Sequence, residues 1–362
     1  MKSRVMGVDI VRCLAILFVI SVHFFLYIGF YDLPLTTFTH FFLLLFRQLF
    51  FTCVPLFLIL TGYLNGKQKF NRNYVYKILK ILVSYCLIAV ICLLCRKYFF
   101  HEDISKLQAI SSIFNFSAAP YGWYVEMYVG LFFFIPFLNL AYDNIKVRSH
   151  KIALLLILVF FTAFPSLINS VYVNKVPLDI FPDYWTFIYP ITYYFLGRYF
   201  KEYPLKITDL KKIILLIGTL VIQTLGCFIY CYNKPFDWSF LGGYNGLFTV
   251  IATSLILSIF ANKNIRNKIG SKIVSIISLV SFEMYLISYV FDRFIYSHTL
   301  AFESSWGYLI NYLMCVSFVM IASFICAFIV NKVSKFLVMK FRPYYDRFCK
   351  NIVKKAQSLN VV

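Results

Sequence analysis

Val8–His23 reads VDIVRCLAILFVISVH, an apolar run with an arginine near one end and a histidine toward the other. Charged groups are costly in a bilayer, so those found inside one are rare, interior-facing and functional by default. The rest of the chain decides whether this run is a membrane span and whether its two polar residues form a site.

Of 362 residues, 61% are hydrophobic and only 14% charged, and 42 Phe with 28 Tyr exceed what a soluble domain buries. The composition is that of a polytopic membrane protein. The run at 9–30 outlasts the apolar stretch of a secretory signal, lacks a small-residue cleavage site and precedes many equivalent segments, so it reads as the first span. Taking spans as roughly 17–25 apolar residues between polar loops predicts ten helices, at 9–30, 40–64, 78–95, 122–142, 152–168, 184–200, 213–232, 241–261, 273–291 and 306–330. The predicted fold is therefore all-α, one transmembrane domain over 1–330 followed by a basic tail over 331–362. The tail is an amphipathic extension suited to the inner leaflet. No segment is long enough for a soluble catalytic domain, so any chemistry belongs within the membrane.

The net charge of +20 invites a nucleic-acid partner, but the positions of the charges decide against one. With the N-terminus in the cytoplasm, the cytoplasmic segments hold all of the 35 Lys and Arg except Arg47, Arg96, Lys97, Lys106, Lys175, Lys234 and Arg293. Those segments are the N-terminus, the loops at 65–77, 143–151, 201–212 and 262–272 with their flanks, and the tail. The positive-inside rule then puts both termini in the cytoplasm. The charge expresses topology and attraction to anionic membrane lipids. Nine cysteines lie in or beside predicted spans and Cys349 lies in the tail. Cys92 and Cys95 form a lone CxxC with no matching pair, so no metal site is expected.

Arg12 and His23 are eleven positions apart, which on an α-helix returns them to within about 20° of one face and separates them by about 16 Å. That distance suits an anionic cofactor with a phosphopantetheine-like arm, phosphates at the cytoplasmic end and the reactive terminus deep in the membrane. The competing reading of Arg12 is a snorkelling side chain paired with Asp9; that of His23 is an interhelical hydrogen-bonding residue. In Tyr121–Asn139, YGWYVEMYVGLFFFIPFLN, Glu126 lies just below an outer interface marked by Trp123 and its tyrosines. Its depth matches that of His23, so it either orients the imidazole or is a rim glutamate facing water. Lys67, Lys69, Arg72, Lys77 and Lys80 cluster at the cytoplasmic end of the third span, as phosphate ligands or as ordinary positive-inside charge. Gly62 permits close approach of a neighbour or ligand beside Thr61.

Together these segments resemble membrane acyltransferase family 3, which includes polysaccharide O-acetyltransferases. The Arg–ten residues–His pattern falls at Arg12 and His23. Phe50–Leu64, FFTCVPLFLILTGYL, is similar to the family's Phe-Phe…Ser-Gly-Phe-Leu segment, and Lys77-Ile78-Leu79-Lys80 lies where Arg-x-x-Arg is usual. Tyr121–Asn139 resembles the Trp-Tyr…Pro-x-Leu helix, and Ser281–Ser288, SFEMYLIS, resembles Ser-Phe-x-x-Tyr-Leu-x-His. Thr61 replaces a serine, lysines replace the arginine pair and lose bidentate phosphate recognition, and Ser288 stands where many members have histidine. The resemblance implies transfer of an acyl group, acetyl expected, from cytoplasmic acyl-CoA to a hydroxyl of a cell-surface polysaccharide or lipid-linked glycan, in the cell membrane, with a bacterial plasma membrane expected. It implies His23 as general base with Glu126 orienting it, Arg12, Arg72, Lys77 and Lys80 on the CoA phosphates, and Thr61, Trp123, Tyr285 and Ser288 toward substrate. A transporter or flippase for a lipid-linked sugar, or a non-catalytic export partner, is the alternative. No inverted repeat or pair of broken helices in matching halves supports a transporter.

Overall fold

The computed structural model describes residues 5–168, 172–173, 176–177, 183–238, 240–298 and 305–358. Lys175 and the last four residues of the predicted tail lie outside them. In chain order the helices are α1 (Met6–Tyr27), α2 (Phe38–Phe50), α3 (Cys53–Asn65), α4 (Arg72–Tyr98), α5 (Lys106–Phe114), α6 (Trp123–Asn144) and α7 (Arg148–Ala163). They continue with α8 (Pro165–Ile168), α9 (Tyr189–Glu202), α10 (Asp209–Tyr230), α11 (Leu247–Phe260), α12 (Lys268–Ile295) and α13 (Ser305–Ser358). The only strand pairing among the described residues is the short antiparallel contact of Tyr172–Val173 with Val176–Pro177. Apolar runs in lipid must satisfy their own backbone hydrogen bonds, which is why they form helices.

The chain is an all-α polytopic membrane protein. Among the described residues, eight helical stretches are long and apolar enough to cross a membrane: α1, α2 with α3, α4, α6, α7 with α8, α10, α12 and α13. The spans predicted at 184–200 and 241–261 are instead α9 and α11, of 14 residues each. At about 21 Å they fall short of a hydrocarbon core of about 30 Å. The shortening of α9 is at its start, where Asp183–Ile188 winds as a 3-10 helix and Pro190 opens the α-helix. The span predicted at 40–64 is broken between α2 and α3. Pro55 has no N–H to donate, and its ring crowds the carbonyl four residues back, at Phe51. Thr52 Oγ1 donates to Leu49 O at 2.7 Å beside the break.

Glycine brings α3 and α9 into backbone contact. A Cβ on Gly62 would overlap the carbonyl oxygen of Tyr194, and one on Gly197 would overlap that of Ile59. Small residues on both sides of a crossing are how membrane helices gain packing without a hydrophobic driving force. The close approach expected at Gly62 is therefore to a neighbouring helix.

The central helix is α1, whose Val11, Ala15, Ile16 and Ile20 are fully buried. It runs parallel to α12 and in step with it. Ser278 Oγ donates to Asp9 Oδ1 at 2.6 Å and His23 Nδ1 meets Asp292 Oδ2 at 2.9 Å, both pairs 269 residues apart in sequence. The basic loops gather on the face where α1 begins, tied by Arg198 to Asp143 and Lys263 to Asp209. On the opposite face, Leu35 pairs with the segment around Lys234, and Glu102 joins Arg96 to Arg293.

The predicted tenth span and the predicted tail form one helix of 54 residues, about 81 Å long. Its far end packs on the start of α4: Arg72 pairs with Asp346, Arg342 donates to Asn73 Oδ1 at 2.8 Å, and Tyr345 Oη donates to Arg72 O at 3.1 Å. Within the bundle, Arg47 is completely buried. Its guanidinium donates to Gln48 Oε1 at 2.9 Å and lies 3.9 Å from the Phe51 ring centre and 4.6 Å from that of Trp238. Delocalised and weakly hydrated, it tolerates an aromatic cage that an ammonium would not.

Candidate active site

About three helical turns of α1, from Arg12 to His23, separate two polar regions. The outer one is built on His23. Its Nδ1 lies 2.9 Å from Asp292 Oδ2, and Tyr121 Oη donates to the same oxygen at 2.8 Å. The Tyr121 ring stacks on the imidazole with centres 3.8 Å apart. Asp292 is wholly buried and His23 nearly so, with 12% of its side chain exposed. An ionised carboxylate only accepts hydrogen bonds, so it places the imidazole proton on Nδ1 and leaves the Nε2 lone pair outward. Among the described residues Nε2 has no partner. A base oriented by a buried acid, with its second nitrogen available, can take a proton from a hydroxyl.

The second region is a cavity of about 770 Å³ that begins near the start of α1. Arg12, Lys80, Thr61 and Glu283 supply much of its polar lining, and Tyr124 and Tyr285 are among its aromatic walls. Arg12 stands 4.0 Å from Asp9, whose carboxylate is also held by Ser278 and Ser275. Lys80 Nζ lies 3.8 Å from Glu283 Oε1, which also accepts from Ser84 Oγ at 3.0 Å and Asn331 Nδ2 at 2.7 Å. One aromatic layer connects this cavity to His23: Tyr285 lines it, and Tyr285 Oη donates to the carbonyl of Tyr121.

The expected residues divide unevenly between these regions. The carboxylate on His23 is that of Asp292, where Glu126 was expected; Glu126 is exposed on α6. Depth alone matched Glu126 to His23, but its position on α6 turns it outward, two residues from the buried Tyr124. Arg12 and Lys80 share the cavity, whereas Arg72 is engaged by Asp346 and Lys77 is exposed, its Nζ donating to Gln68 Oε1 at 2.8 Å. Three residues apart on one helix, Lys77 and Lys80 point about 60° apart, enough for only one to enter. Thr61 and Tyr285 line the cavity. Thr61 Oγ1 donates to Phe57 O at 2.8 Å. Ser288 is buried and donates to Tyr285 O at 3.0 Å, one turn before Asp292 on α12. Trp123 is 38% exposed at the start of α6, stacked toward Tyr244.

Asp292, Tyr121 and Glu283 went unassigned in the sequence. Glu283 carried a usable signal, since a carboxylate inside a predicted span is a functional candidate by default. Asp292 was hidden by its place at the predicted end of the ninth span, where an acidic residue reads as loop. Outside the spans, Glu102 sits between two arginines. Burial pushes its carboxyl up, but Arg293 and Arg96 outweigh that and hold it below the usual carboxylate range.

The family model for an acyltransferase domain matches residues 6–331, nearly the whole chain. No curated protein and no solved structure matches it. The chain belongs to acyltransferase family 3, and both polar regions fall within the matched domain.

Proposed function

We propose that this membrane acyltransferase takes its acyl group, acetyl in the simplest case, from acyl-CoA on the basic face. The acceptor is a hydroxyl of a surface polysaccharide or lipid-linked glycan on the opposite face. The basic face is the cytoplasmic one, as the positive-inside rule requires. The reading is carried by one observation: a carboxylate-oriented histidine stands eleven residues of helix, about 16 Å, from a cavity mouth bearing Arg12 and Lys80.

In this reading Arg12 and Lys80 meet the CoA phosphates, since charge-assisted hydrogen bonds to phosphate are the strong ones. The arm extends along α1 and α12 and brings the thioester past Tyr285 and Tyr121. His23 Nε2 takes the acceptor hydroxyl's proton as that oxygen attacks the thioester carbonyl. The C–S bond breaks, and the proton returns from His23 to the departing CoA thiolate. Asp292 does not touch substrate; it positions His23 and stabilises the imidazolium while the proton resides there. Tyr121 holds both by stacking and by its hydrogen bond to Asp292.

The test is mass spectrometry of surface glycans from cells with the intact gene, without it, and with His23→Gln. An alkali-labile difference of one acyl group that requires both the gene and His23 supports the reading. Glycans that lose export but carry no ester difference would replace it with a transport role.

A further inference from the structure

Where the far end of α13 lies on the start of α4, a second cavity of about 350 Å³ opens. Asn71, Arg72 and Asn73 line it from the α4 side and Arg342, Asp346 and Lys350 from α13. Spaced four apart, the three α13 residues share one face of their helix. Both arginines are held in place. Arg342 lies over the Tyr76 ring at 4.3 Å and Arg72 over that of Tyr345 at 5.9 Å, and the single carboxylate of Asp346 pairs with both. Arg342 also donates to Asn73 Oδ1 at 2.8 Å. These bonds use Nη2 of Arg72 and Nε and Nη2 of Arg342. Among the described residues, Nη1 of each arginine and Nζ of Lys350 have no hydrogen-bond partner. They are open to solvent, with 37% of the Arg72 side chain and 41% of that of Arg342 exposed and Lys350 exposed as well.

Three cations against one carboxylate leave the cavity with a surplus of two positive charges. Free guanidinium N–H groups beside an ammonium are donors suited to phosphate oxygens. Depth decides which phosphates reach them. Ser84 and Asn331 both donate to Glu283 Oε1, so they mark one level on α4 and α13. The constant separation of 269 residues between α1 and α12 puts that level at Leu14. Arg72 lies twelve residues, about 18 Å, and Arg342 eleven residues, about 16.5 Å, from it toward the basic face. Met6, where α1 begins, lies only about 12 Å from Leu14 in that direction. With α1, about 33 Å long, crossing the hydrocarbon core, the cavity sits about 5 Å outside that core, within the layer of about 5–7 Å that headgroups occupy on each side. Phe341, Tyr344 and Phe348 are exposed on the same stretch of α13, as suits aromatic side chains at a lipid interface.

We propose that this cavity binds the phosphate of an anionic phospholipid from the leaflet on the basic face, through Nη1 of Arg72, Nη1 of Arg342 and Lys350. A zwitterionic headgroup carries its own cation beside the phosphate and brings it against the surplus positive charge, so the site selects lipids without one. A bound headgroup bridges two helices. It pins the extension of α13 to α4, the helix that carries Lys80 about two turns further along. The proposal does not depend on the acyl-CoA reading.

The test is native mass spectrometry of the purified full-length protein titrated with phosphatidylglycerol or with phosphatidylcholine of the same acyl chains. Wild type should hold one phosphatidylglycerol about tenfold or more tighter than phosphatidylcholine, since each basic charge near an anionic headgroup is worth about fivefold. Lys350 makes no hydrogen bond or ion pair among the described residues, so its replacement costs the fold no contact. Lys350→Glu removes one positive charge and adds a negative one, and should weaken phosphatidylglycerol about tenfold or more. Lys340→Glu makes the same change in charge about 200° around α13 from Arg342, and should leave the lipid bound as in wild type. Equal affinity of wild type for the two lipids overturns the proposal. Equal weakening by the two substitutions does so as well, because it marks a general attraction of the surface. The other source of such a phosphate is the donor nucleotide. Saturating 3′-phospho-ADP should leave phosphatidylglycerol in place; if it displaces the lipid from wild type, the cavity belongs to the nucleotide and the lipid assignment falls.

Discussion

Asp292→Asn tests the core of the proposed chemistry because it preserves shape and removes charge. In the wild-type protein Asp292 Oδ2 receives two hydrogen bonds, from His23 Nδ1 at 2.9 Å and Tyr121 Oη at 2.8 Å, at a position closed to solvent. The amide has two ways to fit. If its oxygen takes the Oδ2 position, both bonds survive, but the imidazolium formed during transfer loses its counter-charge. Charge-assisted bonds are roughly twice as strong as neutral ones, so this route costs on the order of 10² in rate. If its NH2 takes that position, it donates to Nδ1, and the proton moves to Nε2. The base then has no lone pair toward the acceptor, and the comparable change in a Ser-His-Asp triad costs about 10⁴. Either way the loss is about 10²–10⁴, the range that general-base assistance supplies. The assay is single-turnover transfer by protein in proteoliposomes, with acetyl-CoA affinity measured beside it. Donor affinity should stay at the wild-type value, because the carboxylate acts on the transition state. Transfer above about a tenth of the wild-type rate at matched protein level falls outside that general-base range and would refute the assignment of His23 as a base oriented by Asp292.

Lys80→Ala should raise the KM for acyl-CoA about tenfold or more through loss of a charge-assisted contact, while Lys77→Ala stays near wild type; steady-state kinetics with varied donor decides, and equal effects would contradict the placement of Lys80 alone in the cavity. Gly197→Ala should destabilise the bundle by about 1–3 kcal/mol or more, the usual cost of overpacking, because the added methyl meets the Ile59 carbonyl; a thermal melt in detergent that matches wild type would show that α3 and α9 separate freely. A reporter fused after Arg148 or Lys268 should read cytoplasmic and one near Lys106 or Lys234 extracytoplasmic, and reversal at two sites would overturn the orientation. Because Glu102 titrates below the usual carboxylate range, its clasp on Arg96 and Arg293 holds above its unfolded value and is lost as pH falls through the folded one. Hydrogen exchange of 99–105 should thus be unchanged on mild acidification and rise only in strong acid, and a rise near neutrality would exclude Glu102 as the clasp.

The membrane class and most spans were legible because a span is a local property, some twenty apolar residues between charged loops. The site was legible only where two residues share one helix. Arg12 and His23 are separated by a fixed number of helical turns, so their common stripe follows from geometry within α1. Partnership between helices does not follow from depth. Glu126 and Asp292 both lie near the level of His23, and the rotation of each helix about its own axis decides which one faces it. The Lys77–Lys80 pair illustrates the same limit within a single helix, where about 60° of rotation separates a cavity residue from a surface one. Length estimates failed in the opposite direction. The break before Pro55 was carried by one residue, and the continuation of α13 past 330 was hidden because basic residues mark the end of a span without marking the end of a helix.

The two-region arrangement also accounts for the placing of conformational freedom in this reaction. In the proposed reaction donor phosphates and acceptor hydroxyl would approach from opposite faces, so a histidine acting as base could not be open to both at once without also opening a path for water and ions. In this structure the partition is the Tyr121–Tyr285 layer: Tyr285 lines the cavity and donates to the Tyr121 carbonyl, and Tyr121 stacks on His23 and bonds to Asp292. A donor arm that displaces this layer necessarily disturbs the base's supports. Entry of the thioester and alignment of the histidine are therefore coupled through one side chain, and Tyr121→Phe separates them. It keeps the stacked ring but removes the hydrogen bond to Asp292. That bond is worth about 1.5–3 kcal/mol to a charged acceptor, so transfer should fall about 10- to 100-fold with donor affinity retained. Loss of donor affinity with transfer unchanged would assign Tyr121 to the wall of the cavity alone.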